Sequence, residues 1–356
     1  MPFCTLVINP GSTSTKMGVF EDENLLFQET LRHNDGELKS FPSVIGQKEF
    51  RKEAILRFLK AKGFDLSRLS AVVGRGGLLK PLTSGTYGID EGMLRDLRES
   101  KRGEHASNLG GILAYELAAP YRLPAYIVDP VSVTEYTPVA YYTGLKEITR
   151  QSLSHALNTK AVAKRYAKSL GRDYSSLRLL VVHLGGGITV SAHRDGLMVD
   201  ATNCQDEGCF TPERSGTVPC VQLAKLCFSG QYTLPDVIRM LFREGGLYNY
   251  LGTKDFSEVM RRVHAGDEKA REVVEAMIYQ IAKDIGAMAT VLEGRVDALL
   301  LTGGMAYDGE LVEALKAKVG FLTKNIIVYP GEDELQALNE GALRVLRGEE
   351  KEKIYG

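Results

Sequence analysis

The chain has 356 residues, with 44 Lys and Arg against 45 Asp and Glu, a length that predicts two domains at roughly 150 residues each. The net charge of −1, with both signs spread along the chain, leaves no electrostatic footprint for nucleic acid or an anionic membrane surface, so polymeric phosphates are excluded as partners. The 44% hydrophobic and 25% charged fractions exclude wholesale disorder, and no apolar run approaches the roughly 18 residues that a membrane span needs.

In chain order, Thr5 to Ile8, Lys16 to Phe20 and Leu25 to Leu31 read as three short strands joined by tight turns, followed by a helix from Gln47 to Lys62. Ala71 to Val73 and Ala125 to Val128 read as buried strands, with a helix from Asn108 to Ala119 between them. A helix from about Ser152 to Leu170 leads out of this half. The order then begins again with strands Leu179 to Leu184, Ile188 to Ala192 and Leu197 to Ala201. Helical patterns follow, the longest from Asp267 to Glu293, where Ala270, Val274, Met277, Ile281, Ile285 and Met288 recur at helical spacing. Strands Ala298 to Leu301 and Ile326 to Tyr329 alternate with helices Glu310 to Lys318 and Glu334 to Arg347. One plan occurs twice, which predicts a duplicated α/β protein with ligand loops at the strand ends. The expected domains are 1–150 with the C-terminal helix, 335–356, returned to it, and 151–334.

Glycine, with 37 residues, exceeds an average usage of about 7%. It clusters directly after apolar runs, where backbone can approach a ligand. The five cysteines, Cys4, Cys204, Cys209, Cys220 and Cys227, include no C-x-x-C pair and have no His at ligand spacing. They read as reduced thiols of a cytoplasmic protein rather than a zinc site.

Three turns carry chemistry. Asn9-Pro10-Gly11-Ser12-Thr13-Ser14-Thr15-Lys16 offers hydroxyls, amides and one ammonium, suited either to phosphate oxygens or to a plain polar hairpin. His183-Leu184-Gly185-Gly186-Gly187 occupies the same place in the second half, and three consecutive glycines favour phosphate cradling over packing. Leu301-Thr302-Gly303-Gly304-Met305 ends another strand, as a tight turn or as backbone against a flat or anionic ligand. No G-x-x-x-x-G-K-[ST] sequence occurs.

Together these turns resemble the two phosphate segments and the adenosine segment of the acetate and sugar kinase, Hsp70 and actin superfamily. The resemblance extends along the whole chain to the acetokinase family and its butyrate kinases, through Gly74-Arg75-Gly76-Gly77, His105-Ala106-Ser107-Asn108, Val128-Asp129-Pro130, Ser154-His155-Ala156 and Phe210-Thr211-Pro212-Glu213-Arg214-Ser215-Gly216. It implies two duplicated ribonuclease H-like (actin-like ATPase) domains facing across a nucleotide cleft. The implied reaction moves the γ-phosphoryl of ATP onto butyrate, giving butyryl phosphate and ADP, reversibly and with Mg²⁺. Isobutyrate, propionate and acetate are alternative acids, sugar phosphorylation is less favoured, and an actin- or Hsp70-like ATPase without an acid acceptor is the reading of a different class. A homodimer or larger homo-oligomer is also implied.

The resemblance assigns catalysis to Arg214, Asp129, Arg75 and His155, and the acid to Arg75, His105 and Gln151. A guanidinium can bracket phosphoryl oxygens in a way that Lys cannot. Ser12, Ser14, Lys16, His183, Gly185, Gly186, Gly187, Asp255, Gly303 and Gly304 fall at nucleotide positions, and Asn9, Asp129 and Glu334 at metal positions. Here Glu332-Asp333-Glu334 replaces the family's Asn-Glu-Glu, Gln151 stands where acetate kinases carry a His, and Ser257 stands where they carry an Arg.

Overall fold

A computed structural model describes residues 2–356. The chain divides into two compact units, Met1–Thr134 with Asp333–Gly356, and Glu135–Glu332.

The first unit is built on strands β1 (Cys4–Pro10), β2 (Ser14–Glu21), β3 (Asn24–Arg32), β4 (Ala71–Arg75), β5 (Thr86–Gly88) and β6 (Ala125–Val128), in the order β3-β2-β1-β4-β6-β5. The second carries β7 (Leu179–Leu184), β8 (Ile188–Arg194), β9 (Leu197–Ala201), β10 (Ala298–Gly303) and β11 (Ile326–Pro330), in the order β11-β10-β7-β8-β9. In each sheet the first three strands form an antiparallel meander and the next two major strands add parallel to its first strand. The duplication read from the sequence is therefore visible in the pairing. The first sheet alone is extended by a short antiparallel strand, β5, on the edge of β6.

Strand alternation explains why helices cover both faces. In β7, Leu180, Val182 and Leu184 join the core under helix Glu268–Val291, while Leu179 and Val181 pack with Val162, Ala163, Tyr166 and Ala167 of helix Ala156–Ser169. In β1, Cys4, Leu6 and Ile8 join the core with Ile55 and Leu59 of helix Lys48–Ala61 and with Leu109 and Leu113 of helix Asn108–Ala118. Thr5 points the other way and donates its hydroxyl to Asn339 of helix Glu334–Leu346.

The last covering helix of each unit is exchanged along the chain. The helix that follows β6, Ala156–Ser169, lies in the second unit, and the helix that follows β11, Glu334–Leu346, lies in the first. The first division expected after residue 150 falls after Thr134 instead. Segment 135–150 is tied to the second unit by buried polar bonds: Glu135 Oε2 accepts from Lys160 Nζ at 2.6 Å and from the Met198 amide at 2.9 Å, and Arg150 binds Asp200 and Glu207. No helix among the described residues is long and apolar enough to cross a membrane.

Candidate functional site

In the first unit, Asn9, Arg75 and Asp129 stand at the carboxyl ends of three neighbouring strands. Ile8 pairs with Gly74 and Arg75 with Val128, so the register brings Asn9 and Arg75 out side by side and Asp129 one step beyond. Glu334 opens the helix that packs on this sheet. Its carboxylate takes a hydrogen bond from Asn9 Nδ2 through one oxygen and an ion pair from Arg75 through the other, and Arg75 Nη1 also donates to Asn9 Oδ1 at 3.4 Å. Asp129 is buried, holds a left-handed backbone (φ 38°), and accepts from the Gly85 amide at 2.7 Å through Oδ1.

The glycine flanking Arg75 on its N-terminal side answers to packing rather than to a ligand. A Cβ on Gly74 would strike the Gly110 carbonyl, and one on Gly110 would strike the Arg75 carbonyl. Strand β4 and helix Asn108–Ala118 touch backbone to backbone there, so the ligand-approach reading of the glycine clusters does not hold at this position.

In the second unit, the glycine turn after β7 meets the loop of Arg214. Thr211 links them: its hydroxyl donates to the Gly186 carbonyl at 2.6 Å and accepts from the amides of Glu213 (3.3 Å) and Arg214 (3.1 Å). Arg214 Nη1 donates to the Cys204 carbonyl. At Gly187 the absent side chain has a direct purpose, since a Cβ would collide with the Arg214 guanidinium and come within 3.2 Å of His155 Cε1.

His155 and His183 stack with ring centroids 3.9 Å apart and planes 9° from parallel. His155 Nδ1 is 2.8 Å from Thr189 Oγ1. Asn158 donates Nδ2 to the Glu332 carbonyl at 2.9 Å, which turns its Oδ1 toward His183 Nδ1 at 2.9 Å. The other ring nitrogen of His183, Nε2, lies 3.5 Å from Glu332 Oε1. Burial pushes the Cys204 thiol up against the opposing pull of Arg214, and pushes Cys209 well up, so these thiols stay protonated and unreactive.

A cavity of about 450 Å³ in this unit is lined by Gly185, Gly186, Asp255, Gly304, Tyr307 and Glu332, among others. It gathers residues from both glycine turns.

The family model described as the Acetokinase family matches residues 133–324. Two relatives, each named probable butyrate kinase, from Clostridium botulinum strains Alaska E43 / Type E3 and Eklund 17B / Type B, are 51% identical over 356 residues, the whole of both chains. The chain belongs to the acetokinase family. A crystal structure of Porphyromonas gingivalis acetate kinase superposes with a TM-score of 0.81, covering 96% of this chain and 99% of that one at 20% identity, so the two-domain α/β fold is common to both.

Against that family frame, the expected residues fall into two local groups. Asn9, Arg75, Asp129 and Glu334 come together in the first unit. Gly187, Arg214, His155 and His183 come together in the second. Ser12, on the β1–β2 turn, is exposed, and Ser14 and Lys16, at the start of β2, are half-buried, Lys16 pairing with Asn9 across the strands. Three others have local structural partners. His105 Nδ1 is 2.7 Å from Ser107 Oγ and accepts the Ser107 amide at the start of helix Asn108–Ala118. Asp255 caps helix Phe256–His264 through the amides of Ser257 and Glu258 while also lining the cavity. Gly303 has φ 94°, and its absent Cβ makes room for the Leu184 carbonyl, whereas Gly304 is open. Gln151 is exposed in the second unit.

Thr211 and Asn158 were missed as organising residues. Thr211 lies inside the Phe210 to Gly216 motif, but its hydroxyl role depends on a contact across 25 positions. Asn158 lies one turn after His155, but its partner His183 stands 25 positions away on another element.

Proposed function

We propose that this chain transfers the γ-phosphoryl of ATP to butyrate, giving butyryl phosphate and ADP, and catalyses the reverse. The observation that carries the reading is the second-unit constellation of Gly187, Arg214 and stacked His155 and His183, on a chain whose relatives named probable butyrate kinase match it from end to end. A carboxylate oxygen attacks the γ-phosphorus, one O–P bond forms, and the bond to the β-bridging oxygen breaks with its electron pair leaving on ADP. The acid is already ionised at pH 7 because its pKa is near ~4. No base is required, and the work is alignment and charge compensation.

Arg214 and His155 face the transferring phosphoryl in this reading. Arg75, held by Glu334 and Asn9, takes the substrate carboxylate, with His105 and Gln151 as further acid contacts. The glycine turn, His183, Ser12, Ser14 and Lys16 hold phosphates, and the cavity with Asp255 and Gly304 takes the nucleoside. The first-unit donors suit Mg²⁺, which accepts one or two carboxylates and completes its shell with water and substrate phosphates. Asn9 Oδ1, the Glu334 carboxylate and the second oxygen of Asp129 are all hard oxygen donors. Among the described residues no three His, Cys, Asp or Glu cluster as a metal site. When bound, the ion neutralises phosphate charge.

We take the working form to be a cytoplasmic homo-oligomer. Val221, Phe228 and Leu234 are 66%, 92% and 72% exposed within a short stretch of the second unit, and a contiguous apolar surface built from them is the kind that a second copy covers. Light scattering of a monomer alone overturns that part.

The deciding experiment is ADP formation with and without butyrate, isobutyrate, propionate and acetate. Two buried methylenes at about 0.8 kcal/mol each predict a preference for butyrate over acetate of roughly fifteenfold in kcat/KM. Equal rates would overturn the choice of acid, and ADP formation indifferent to every acid would leave an ATPase of another kind.

A further inference from the structure

Beneath the β1–β2 turn lies a buried cation for which the reaction above has no role. Arg51, from helix Lys48–Ala61, has 0% exposure. All five of its N–H groups are used, and all on neutral oxygens. Nε and Nη2 donate to Gln47 Oε1 at 3.1 and 2.9 Å, Nη1 donates to the Ser14 carbonyl at 2.9 Å and to Thr15 Oγ1 at 3.0 Å, and Nη2 donates to the Ser12 carbonyl at 3.2 Å. Burial lowers its pKa to about 10, so it remains charged near neutrality. A charge taken out of water without a counter-ion is costly, and is kept where something else compensates it.

The turn above it is sorted by polarity. The carbonyls of Ser12 and Ser14 are held by Arg51, that of Thr13 by the His33 amide at 2.9 Å, and Ser14 also accepts from the Gly11 amide at 2.8 Å. His33 additionally places its ring Nε2 2.9 Å from Thr15 Oγ1. Meanwhile the amides of Ser12 and Thr13 donate to no described protein atom, and both residues are exposed. Acceptors are occupied from within, and donors are left over. That is the requirement for an anion-binding turn.

We propose that Arg51 is a positioning residue for the β1–β2 turn: its fork draws the Ser12 and Ser14 carbonyls away from the ligand, and its uncompensated charge behind the turn is offset by a phosphoryl group in front of it. The inference rests on the reading that this turn meets the transferring phosphoryl, whether that group arrives on ATP or on the acyl phosphate. ADP lacks it.

Gln47→Glu separates the two parts of the proposal, because it is isosteric, keeps both hydrogen bonds from Arg51 and adds the missing counter-charge. Arg51→Lys does the converse, keeping charge and losing the fork. For each variant, kcat/KM is expected to fall roughly ten- to hundredfold for ATP and for butyryl phosphate, with ADP affinity and the KM for butyrate within about twofold of the parent. A merely structural role would move ADP along with ATP. In a readout independent of turnover, millimolar inorganic phosphate raises the Tm of the unaltered protein and raises it less in either variant. Parental kcat/KM for ATP in Gln47→Glu, an equal loss of ADP affinity, or no phosphate effect on the unaltered Tm each overturns the proposal. If no acid supports turnover, the kinase reading fails alone and the phosphate-induced Tm shift still decides on Arg51.

Discussion

The two sheets repeat one topology, β3-β2-β1-β4-β6 in the first unit and β9-β8-β7-β10-β11 in the second, yet their first hairpin turns are built by opposite means. The β1–β2 turn is rich in hydroxyls and takes its shape from a long side chain inserted from a distant helix. The β7–β8 turn is all glycine and takes its shape from Thr211, while the missing side chain at Gly187 leaves space for Arg214. In the first unit the cation stands behind the turn, and in the second it stands in front. A shared scaffold thus fixes where a turn occurs, and the residues beneath and above it decide what the turn can face.

That contrast can be broken from the front first. Arg214→Ala is expected to lower kcat by on the order of 10³ or more, the scale of an arginine on a transferring phosphoryl, with nucleotide affinity retained. Turnover near the parental rate would remove Arg214 from the mechanism. Gly187→Ala tests the space rather than the charge. The added methyl displaces the Arg214 guanidinium, so a fall of about 10² in kcat is expected with a nearly unchanged Tm, and parental kinetics would show the clearance to be idle.

Glu334→Gln removes the charge that holds Arg75 while keeping its shape. A KM for the acid raised about tenfold is the expected result, since charge-assisted bonds are roughly twice as strong as neutral ones, and the KM for ATP rises with it because the same carboxylate is a magnesium donor. An unchanged KM for the acid would detach Arg75 from that substrate.

A further prediction concerns stability and leaves turnover at neutral pH untouched. His193 is buried between Tyr174 and Ser191, and burial, helped by the Lys160 charge, lowers its pKa from 6.5 to about 3. The unfolded chain therefore binds a proton that the folded chain refuses between these values. The corresponding stability is fully present above about pH 6.5 and is lost as pH falls toward 3, at up to ~1.4 kcal/mol per pH unit. Urea unfolding should show this slope, and His193→Gln should flatten it; an unaltered slope in that variant would assign the acid sensitivity elsewhere.

Much of the fold was legible because its signals are local and periodic. The central strands and the helices Asn108–Ala118, Glu268–Val291 and Glu334–Leu346 lie within a few residues of where apolar spacing puts them. Strand β5 was not legible, being three residues held by pairing rather than by pattern. The helix Glu91–Glu99 does leave a trace in the sequence: Asp90 caps it through the Met93 amide, and Met93, Leu94 and Leu97 form its buried face. The unit boundary depends on the buried Lys160–Glu135 pair, a contact between residues 25 positions apart that no window of sequence contains.

At the site, motif order identified the residues but not their partners. Arg75 was readable as a cation at a strand end, whereas its tie to Glu334 spans 259 positions. Arg51 is the instructive omission. It shares the stripe of Ile55 and Leu59, which are buried with it at helical spacing. An arginine in an apolar stripe was the available signal, and the many charges around it in that helix concealed it.

The exchanged helices carry a consequence for how the molecule is made. Helix Glu334–Leu346 supplies Asn339 to Thr5 of β1, a partner synthesised 334 positions later. At roughly 5–20 residues per second, the opening strand waits on the order of tens of seconds for the helix that covers one face of it, while the whole second unit is translated in between. The Glu135–Glu332 unit, by contrast, holds all of its strands and covering helices in one uninterrupted stretch. The unit split by that insertion therefore cannot complete its sheet covering until the other unit has been translated.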